Sequence, residues 1–199
     1  MAPLTIAKKT FLPILFLMLA VSFWFFSVTN ISQNKTLPIE QPDDSTAYQQ
    51  KFIDEIVLEA QALQQQTNLF ASITIAQAIL ESDWGRSDLA VDSHNLFGIK
   101  GSFNDQSSTL PTDEFENGER ITIEASFKKY DTIQESMIDH IDFLKGGTYD
   151  AIKTSTDYKE AAYALQNGGY ATDPHYAEKL IELIEQFKLN KYDQQRSLS

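Results

Sequence analysis

Residues 75–86 read IAQAILESDWGR. Traced back to Ser72, the apolar residues Ile73, Ile75, Ala76, Ala78, Ile79 and Leu80 leave almost no polar face. A helix that is apolar all round is a buried one. The pattern predicts a helix over 72–84 in the middle of a core, with Gly85 ending it in the left-handed conformation. That helix closes on a carboxylate, Glu81, with Trp84 just beyond it. A glutamate placed there meets two adverse fields. Burial disfavours its charged form, and the C-terminal end of a helix carries partial negative charge. Both raise its pKa, and a carboxylic acid still protonated near neutral pH can hand its proton to a departing oxygen. Position alone does not decide the matter, because many helices carry an exposed glutamate in the last turn. Trp84 has the same two readings: a wall that keeps water from Glu81, or packing for the helix end.

Outward from this helix the chain is mostly helical. Phe52, Ile56, Leu58, Ala62 and Leu63 recur at helical spacing and predict a helix over 48–66. A short strand is expected at 96–99. Within 110–130 lies Asn117-Gly118, the strongest short-range hairpin signal. A two-residue turn there pairs Glu116 with Glu119, Glu114 with Ile121 and Thr112 with Ile123. Period-two alternation then puts Leu110, Thr112, Glu114, Ile121, Ile123, Ala125 and Phe127 on one face, so Glu114 is a carboxylate on the more apolar side. Helices resume with Asp131 as N-cap and Gln134 three residues on, before an apolar run to Leu144. Gly146-Gly147 stops that run. A further helix is expected at 158–166, Gly168-Gly169 breaks the chain, and Asp173 with Pro174 opens a last helix reaching Phe187. Helices before and after one small hairpin predict an α+β, mainly helical fold: a lysozyme-like α-lobe with a small β-hairpin lobe.

The bulk numbers narrow the function. The chain has 199 residues, and roughly 150 of them are available for one folded domain. A formal net charge of −12 excludes a nucleic-acid binder, which needs clustered Lys and Arg. With no cysteine there is no disulfide, thiolate nucleophile or cysteine zinc site. His94, His140 and His175 form no HExxH-like pair, so no metal site is expected, and nothing in the chain asks for a cofactor. The three histidines are read as structural or exposed.

Residues 11–28, FLPILFLMLAVSFWFFSV, carry no charge, and Lys8 and Lys9 precede them. That length approaches a bilayer span, and the positive flank places the rest of the chain outside the membrane. A cleaved signal peptide, with the domain secreted, is the alternative; the long, bulky run without a small-x-small site favours an uncleaved anchor. The expected organisation is a cytoplasmic end over 1–9, a single-pass transmembrane anchor over 10–29, an extracytoplasmic linker over 30–46, the folded domain over 47–190 and a polar tail over 191–199.

Five blocks in order, AQAILESDWGRSDLA, HNLFGIKGSF, LPTDEFENG, SFKKYDTIQESMIDHIDFL and GGYATDPHYAEKLIELI, resemble the glucosaminidase domain of glycoside hydrolase family 73. The resemblance spans about 48–189. It implies a peptidoglycan hydrolase, an endo-β-N-acetylglucosaminidase that cuts the β-1,4 bond following N-acetylglucosamine. It also implies that Glu81 is the general acid and Glu114 the second carboxylate, and that Tyr170 and Tyr176 stand in the cleft. The block 95–100 would line the sugar groove, with Asn95, Phe97 and Lys100 on the substrate and Trp84 beside the acid. The residues by themselves leave alternatives. Asn95 can hydrogen-bond an acetamido sugar or serve a turn. Phe97 can stack on a sugar or pack the core, and Tyr176 can equally be core. Two carboxyl groups, or one plus the substrate's own acetamido group, suffice for glycoside hydrolysis, so retention, inversion and substrate assistance all stay open. A muramidase or lytic transglycosylase on the same fold, and a wall-binding scaffold without catalysis, are the competing functions.

Overall fold

The computed structural model describes residues 44–116 and 119–194, except the side chains of 44, 45, 113–116, 119 and 120. The expected membrane anchor and the Asn117-Gly118 turn lie outside the described residues. Among the described residues, no helix is long and apolar enough to cross a membrane. The chain runs α1 (Asp44–Thr67), α2 (Ala71–Ser82), α3 (Asp88–Ser93), β1 (Ser107–Glu116), β2 (Glu119–Lys128), α4 (Ile133–Phe143), α5 (Asp150–Thr154), α6 (Tyr158–Asn167) and α7 (Tyr176–Gln186), then a 3-10 turn at Leu189–Tyr192. The described residues are mainly helical, with one two-stranded antiparallel sheet among them.

Helix α2 is the axis of the core. Ile73, Ile75, Ala76, Ala78 and Ile79 are buried, as its pattern requires. It is packed by α1, α6, α7 and the turn at Leu189–Tyr192. It ends at Ser82, two residues short of the expected point. Asp83, Trp84 and Gly85 then take left-handed φ values of 49°, 60° and 72° in succession. Ser82 holds the reversal: its Oγ donates to the Ala78 carbonyl at 2.5 Å and accepts from the Gly85 N–H at 2.7 Å. Gly85 is needed there for a second reason besides φ, since a Cβ on it would lie 2.7 Å from Phe52 Cε2 on α1.

Helix α1 buries Phe52, Ile53, Ile56, Ala60 and Leu63. Leu58 and Ala62, expected in the same stripe, face solvent. The hairpin pairs in the expected register, Glu116 with Glu119, Glu114 with Ile121 and Thr112 with Ile123. Among the described residues of its apolar face, Thr112 and Phe127 are buried and Ile123 is exposed.

The expected strand at 96–99 is a loop instead. It lies along the edge of β2, with Lys128 N–H donating to the Ile99 carbonyl and Gly101 N–H to the Ser126 carbonyl, each at 2.9 Å. The N-cap of α4 is Thr132, not Asp131. Thr132 Oγ1 accepts from Glu135 N–H at 3.2 Å, and the Glu135 carboxylate accepts from Asp131 N–H at 2.9 Å. Helix α7 begins at Tyr176, after a turn in which Asp173 Oδ1 accepts from His175 N–H at 2.8 Å. The short α3 and α5 had no sequence signal of their own, being too brief to show a period.

Of the stretch expected as a polar tail, residues 191–194 are described, and they lie against α1 and α2. Gln61 and Gln64 donate to the carbonyls of Tyr192 and Gln194, at 2.9 and 2.8 Å. Asp193 accepts from the Ser72 N–H at 2.8 Å and from the Ser72 hydroxyl at 2.7 Å.

Candidate active site

The penultimate residue of α2 and the first residue of α7 meet here. Tyr176 donates its hydroxyl proton to Glu81 Oε1 at 2.8 Å. Gln77, one helical turn before Glu81, donates its amide Nε2 to the same hydroxyl at 3.1 Å. Tyr176 and Gln77 are buried, and Glu81 retains some exposure at the end of its helix. Tyr170 stacks on Tyr176, with ring centroids 5.4 Å apart and planes 25° apart. Behind Tyr170 stands His140 of α4, whose Nε2 is 3.1 Å from the Tyr170 hydroxyl. The His140 ring is in turn stacked on Phe97, at 3.8 Å and 6°.

These surroundings set the protonation states. Burial pushes the Glu81 carboxyl up to about 8, against the opposing pull of the Tyr176 hydrogen bond and the Lys179 ammonium. Desolvation outweighs both, because taking the carboxylate out of water removes hydration that one neutral donor and one partly exposed cation do not replace. Lys179 is itself paired with Asp173 at 2.5 Å, which weakens its pull further. Burial and the neighbouring Glu81 charge hold both tyrosines well above the usual phenol range, so both stay neutral hydrogen-bonding groups. Burial drives His140 down to about 3, so its ring is neutral. Glu81 is therefore a carboxylic acid through neutral pH, fixed by one tyrosine and bordered by another.

The remaining sequence-predicted residues divide. Asn95 is buried, and its amide is fully committed to backbone: Nδ2 donates to the carbonyls of Ile99 at 3.0 Å and Lys128 at 2.8 Å, and Oδ1 accepts from Ile99 N–H at 3.1 Å. Phe97 is buried under His140 rather than open to a ligand. Trp84 sits edge-on to Tyr48, Phe52 and Phe187, so its ring partners belong to α1 and the end of α7. The aromatic rings grouped with the acid are those of Tyr176 and Tyr170. Lys100 is half-buried and bridges to Phe127 at the hairpin base. Glu114 is placed by its backbone in β1 opposite Ile121, and its side chain lies outside what is described. Gln77 and His140 had no assigned part in the site. The signal for Gln77 was present in the sequence: it is a large amide among mostly apolar residues, four positions before the glutamate. Among the described residues, no cluster of His, Asp and Glu could hold a metal ion.

Comparison with known proteins bears on the family of the chain. Residues 57–189 match the family described as glucosaminidase, mannosyl-glycoprotein endo-beta-N-acetylglucosaminidase. Exo-glucosaminidase LytG of Bacillus subtilis is 42% identical over 98% of this chain and 71% of its own length. Peptidoglycan hydrolase FlgJ of Escherichia coli K12 is 36% identical over 77% of this chain, which spans 51% of that protein. Among solved structures, the catalytic domain of the autolysin Auto from Listeria monocytogenes superposes with a TM-score of 0.68 at 40% identity, covering 80% of this chain and 100% of that domain. A truncated glycoside hydrolase domain of Salmonella typhimurium FlgJ gives 0.59 at 34% identity, covering 70% of this chain and 97% of that one. The match over most of the folded region, together with the relatives' identity and coverage, places this chain in the glucosaminidase family, glycoside hydrolase family 73.

Proposed function

We propose that this protein hydrolyses the β-1,4 glycosidic bond following N-acetylglucosamine in the glycan strands of peptidoglycan, with Glu81 as general acid. The observation that carries the reading is the state of Glu81: a carboxyl pushed up to about 8, oriented by Tyr176 and still partly exposed at its helix end. In the reaction, the bond from C1 to the leaving sugar oxygen breaks as the Glu81 proton passes to that oxygen. Water then adds to C1, and its proton returns to the carboxylate. Charge developing on the sugar is balanced by Glu114 from the hairpin or by the substrate's own acetamido oxygen. Tyr170 and Tyr176, both buried, back the acid from the core side, Tyr176 through its hydrogen bond to Glu81 and Tyr170 through its stack on Tyr176.

The names of LytG and FlgJ support the substrate, and the Bacillus name raises the question of mode. Cleavage inside strands, expected from the family resemblance, and removal of terminal sugars yield different products. A second reading, muramidase activity, is kept because a relative from Lactococcus lactis at 35% identity bears the name probable N-acetylmuramidase. The charge-free run at 11–28 supports anchoring of the domain on the outer face of the membrane, which fractionation of the full chain with and without those residues would check.

The decisive experiment digests purified sacculi with the full chain and reads the products by mass spectrometry. Reducing N-acetylglucosamine ends are expected. Reducing N-acetylmuramic acid ends would favour the second reading. Glu81→Gln should lower the rate by at least about 100-fold, the lower range of what a positioned acid contributes. Undiminished activity in that variant overturns the assignment.

A further inference from the structure

We propose that Gln77 is a positioning residue for the acid: its amide fixes the direction of the Tyr176 hydroxyl, so that Glu81 keeps its transferable proton on Oε2. The inference rests on the reading of Glu81 as general acid and goes on to name what orients its proton.

The argument is one of donors and acceptors. After Glu81 has given up its proton it is an anion and can only accept, so the hydroxyl 2.8 Å from Oε1 must donate to it. A phenol has one proton. Once that proton points at Glu81, the Tyr176 oxygen can only accept, and the group facing it at 3.1 Å must donate. Gln77 meets that requirement with its NH2 end. When Glu81 is reprotonated, Oε1 is already occupied as an acceptor, so the proton resides on Oε2.

The reversed chain would have the acid donate to Tyr176 and Tyr176 donate to Gln77 Oε1, aiming the proton at the protein instead of the substrate. Reversal requires Gln77 to turn its amide over inside the core. Gln77 is fully buried, as is Thr74 one turn before it, and both side chains lie on the α2 face that carries Glu81. Among the described residues, Gln77 Oε1 and Thr74 Oγ1 have no hydrogen-bond partner. A buried amide that leaves its carbonyl unpaired while donating to one phenol is costly to keep for packing alone. The other groups that bear on Glu81 are Tyr170, Lys179 and, behind Tyr170, the neutral His140. None of them donates to the Tyr176 oxygen.

The test compares the full chain with Gln77→Met, which keeps length and volume but not the donor. Without the amide, Tyr176 is free to turn from Oε1, and the Glu81 anion loses its donor. The basic limb of the pH profile of kcat/KM should move up by about one pH unit. Near the optimum kcat should fall about tenfold with little change in KM, because part of the acid now holds its proton on the wrong oxygen. In a Tyr176→Phe background, Gln77→Met should move the limb no further.

An unmoved limb, or an equal shift in both backgrounds, overturns the proposal. If Gln77→Met does not fold, the parent protein answers. Its Gln77 side-chain amide resonance should titrate together with the Glu81 carboxyl, and should no longer do so in Tyr176→Phe; an amide that ignores Glu81 overturns the proposal. Full activity in Glu81→Gln would instead defeat the underlying reading of the acid.

Discussion

Glu81 concentrates the chemistry and also weakens the fold. Its folded carboxyl titrates near 8, against an unfolded value of 4.5, so between those pH values the folded state binds a proton that the unfolded chain releases. For a carboxyl raised in this way, the fold is unburdened below about 4.5, loses stability as pH rises towards 8, and carries the full penalty above it. Glu81→Gln keeps the shape and the acceptor for Tyr176 without the charge. It should be more stable than the parent at pH 8.5 by a few kcal/mol, on the order of the shift at about 1.4 kcal/mol per pH unit. The gap should close by pH 4.5. Urea denaturation across that range measures it, and a gap independent of pH would contradict the burial of Glu81. His140 acts in the opposite sense. Held down to about 3 by burial, it contributes stability above its unfolded value of 6.5 that is lost as pH falls through about 3. The acid was legible in the sequence because a glutamate interrupts an apolar run. Tyr170 and Tyr176 entered only through the family resemblance, since Tyr176 lies 95 residues away and nothing local marks it as more than the start of a helix.

At the scale of elements, the loop at 94–101 shows how one side chain can stand in for a strand. Asn95 satisfies two carbonyls and one N–H that the loop and the end of β2 would otherwise leave unpaired. Apolar residues at Leu96, Phe97 and Ile99 made the segment read as β, but the left-handed His94 before it and the left-handed Gly98 within it turn the backbone away from a ladder. Asn95→Ala should destabilise the protein by about 2–4 kcal/mol, the cost of several buried polar groups left without partners. At temperatures where the variant is folded, KM for glycan should change little. A KM effect without loss of stability would return Asn95 to the substrate. The hairpin was legible to the residue because its register follows from the turn alone, given that side chains alternate with a period of two.

Across the whole molecule, the two ends of α2 are charged by opposite logic. Its first turn lacks a side-chain cap from the preceding Phe70. The acceptors come from elsewhere: Gln64 Oε1 takes the Ala71 N–H at 2.9 Å, and Asp193, from the far end of the chain, takes the Ser72 N–H. A carboxylate is favoured at that helix end by the same dipole that disfavours Glu81 at the other. The residues after α7 therefore secure the helix that bears the acid. Asp193→Ala should cost about 1–2 kcal/mol, as loss of a helix cap does. Thermal denaturation would show it, and an unchanged Tm would mean that the docked segment adds nothing to α2.

Local pattern alone determined that this chain builds a buried helix ending in a glutamate, a two-stranded hairpin of fixed register and a helical remainder, because periodicity and turn chemistry act over a few residues. Tertiary structure decided which groups surround the glutamate, that Asn95 and Phe97 serve the interior, and that the cap of α2 comes from residue 193. Those outcomes depend on which distant groups share a volume from which water has been displaced. Short-range spacing carries no record of such meetings.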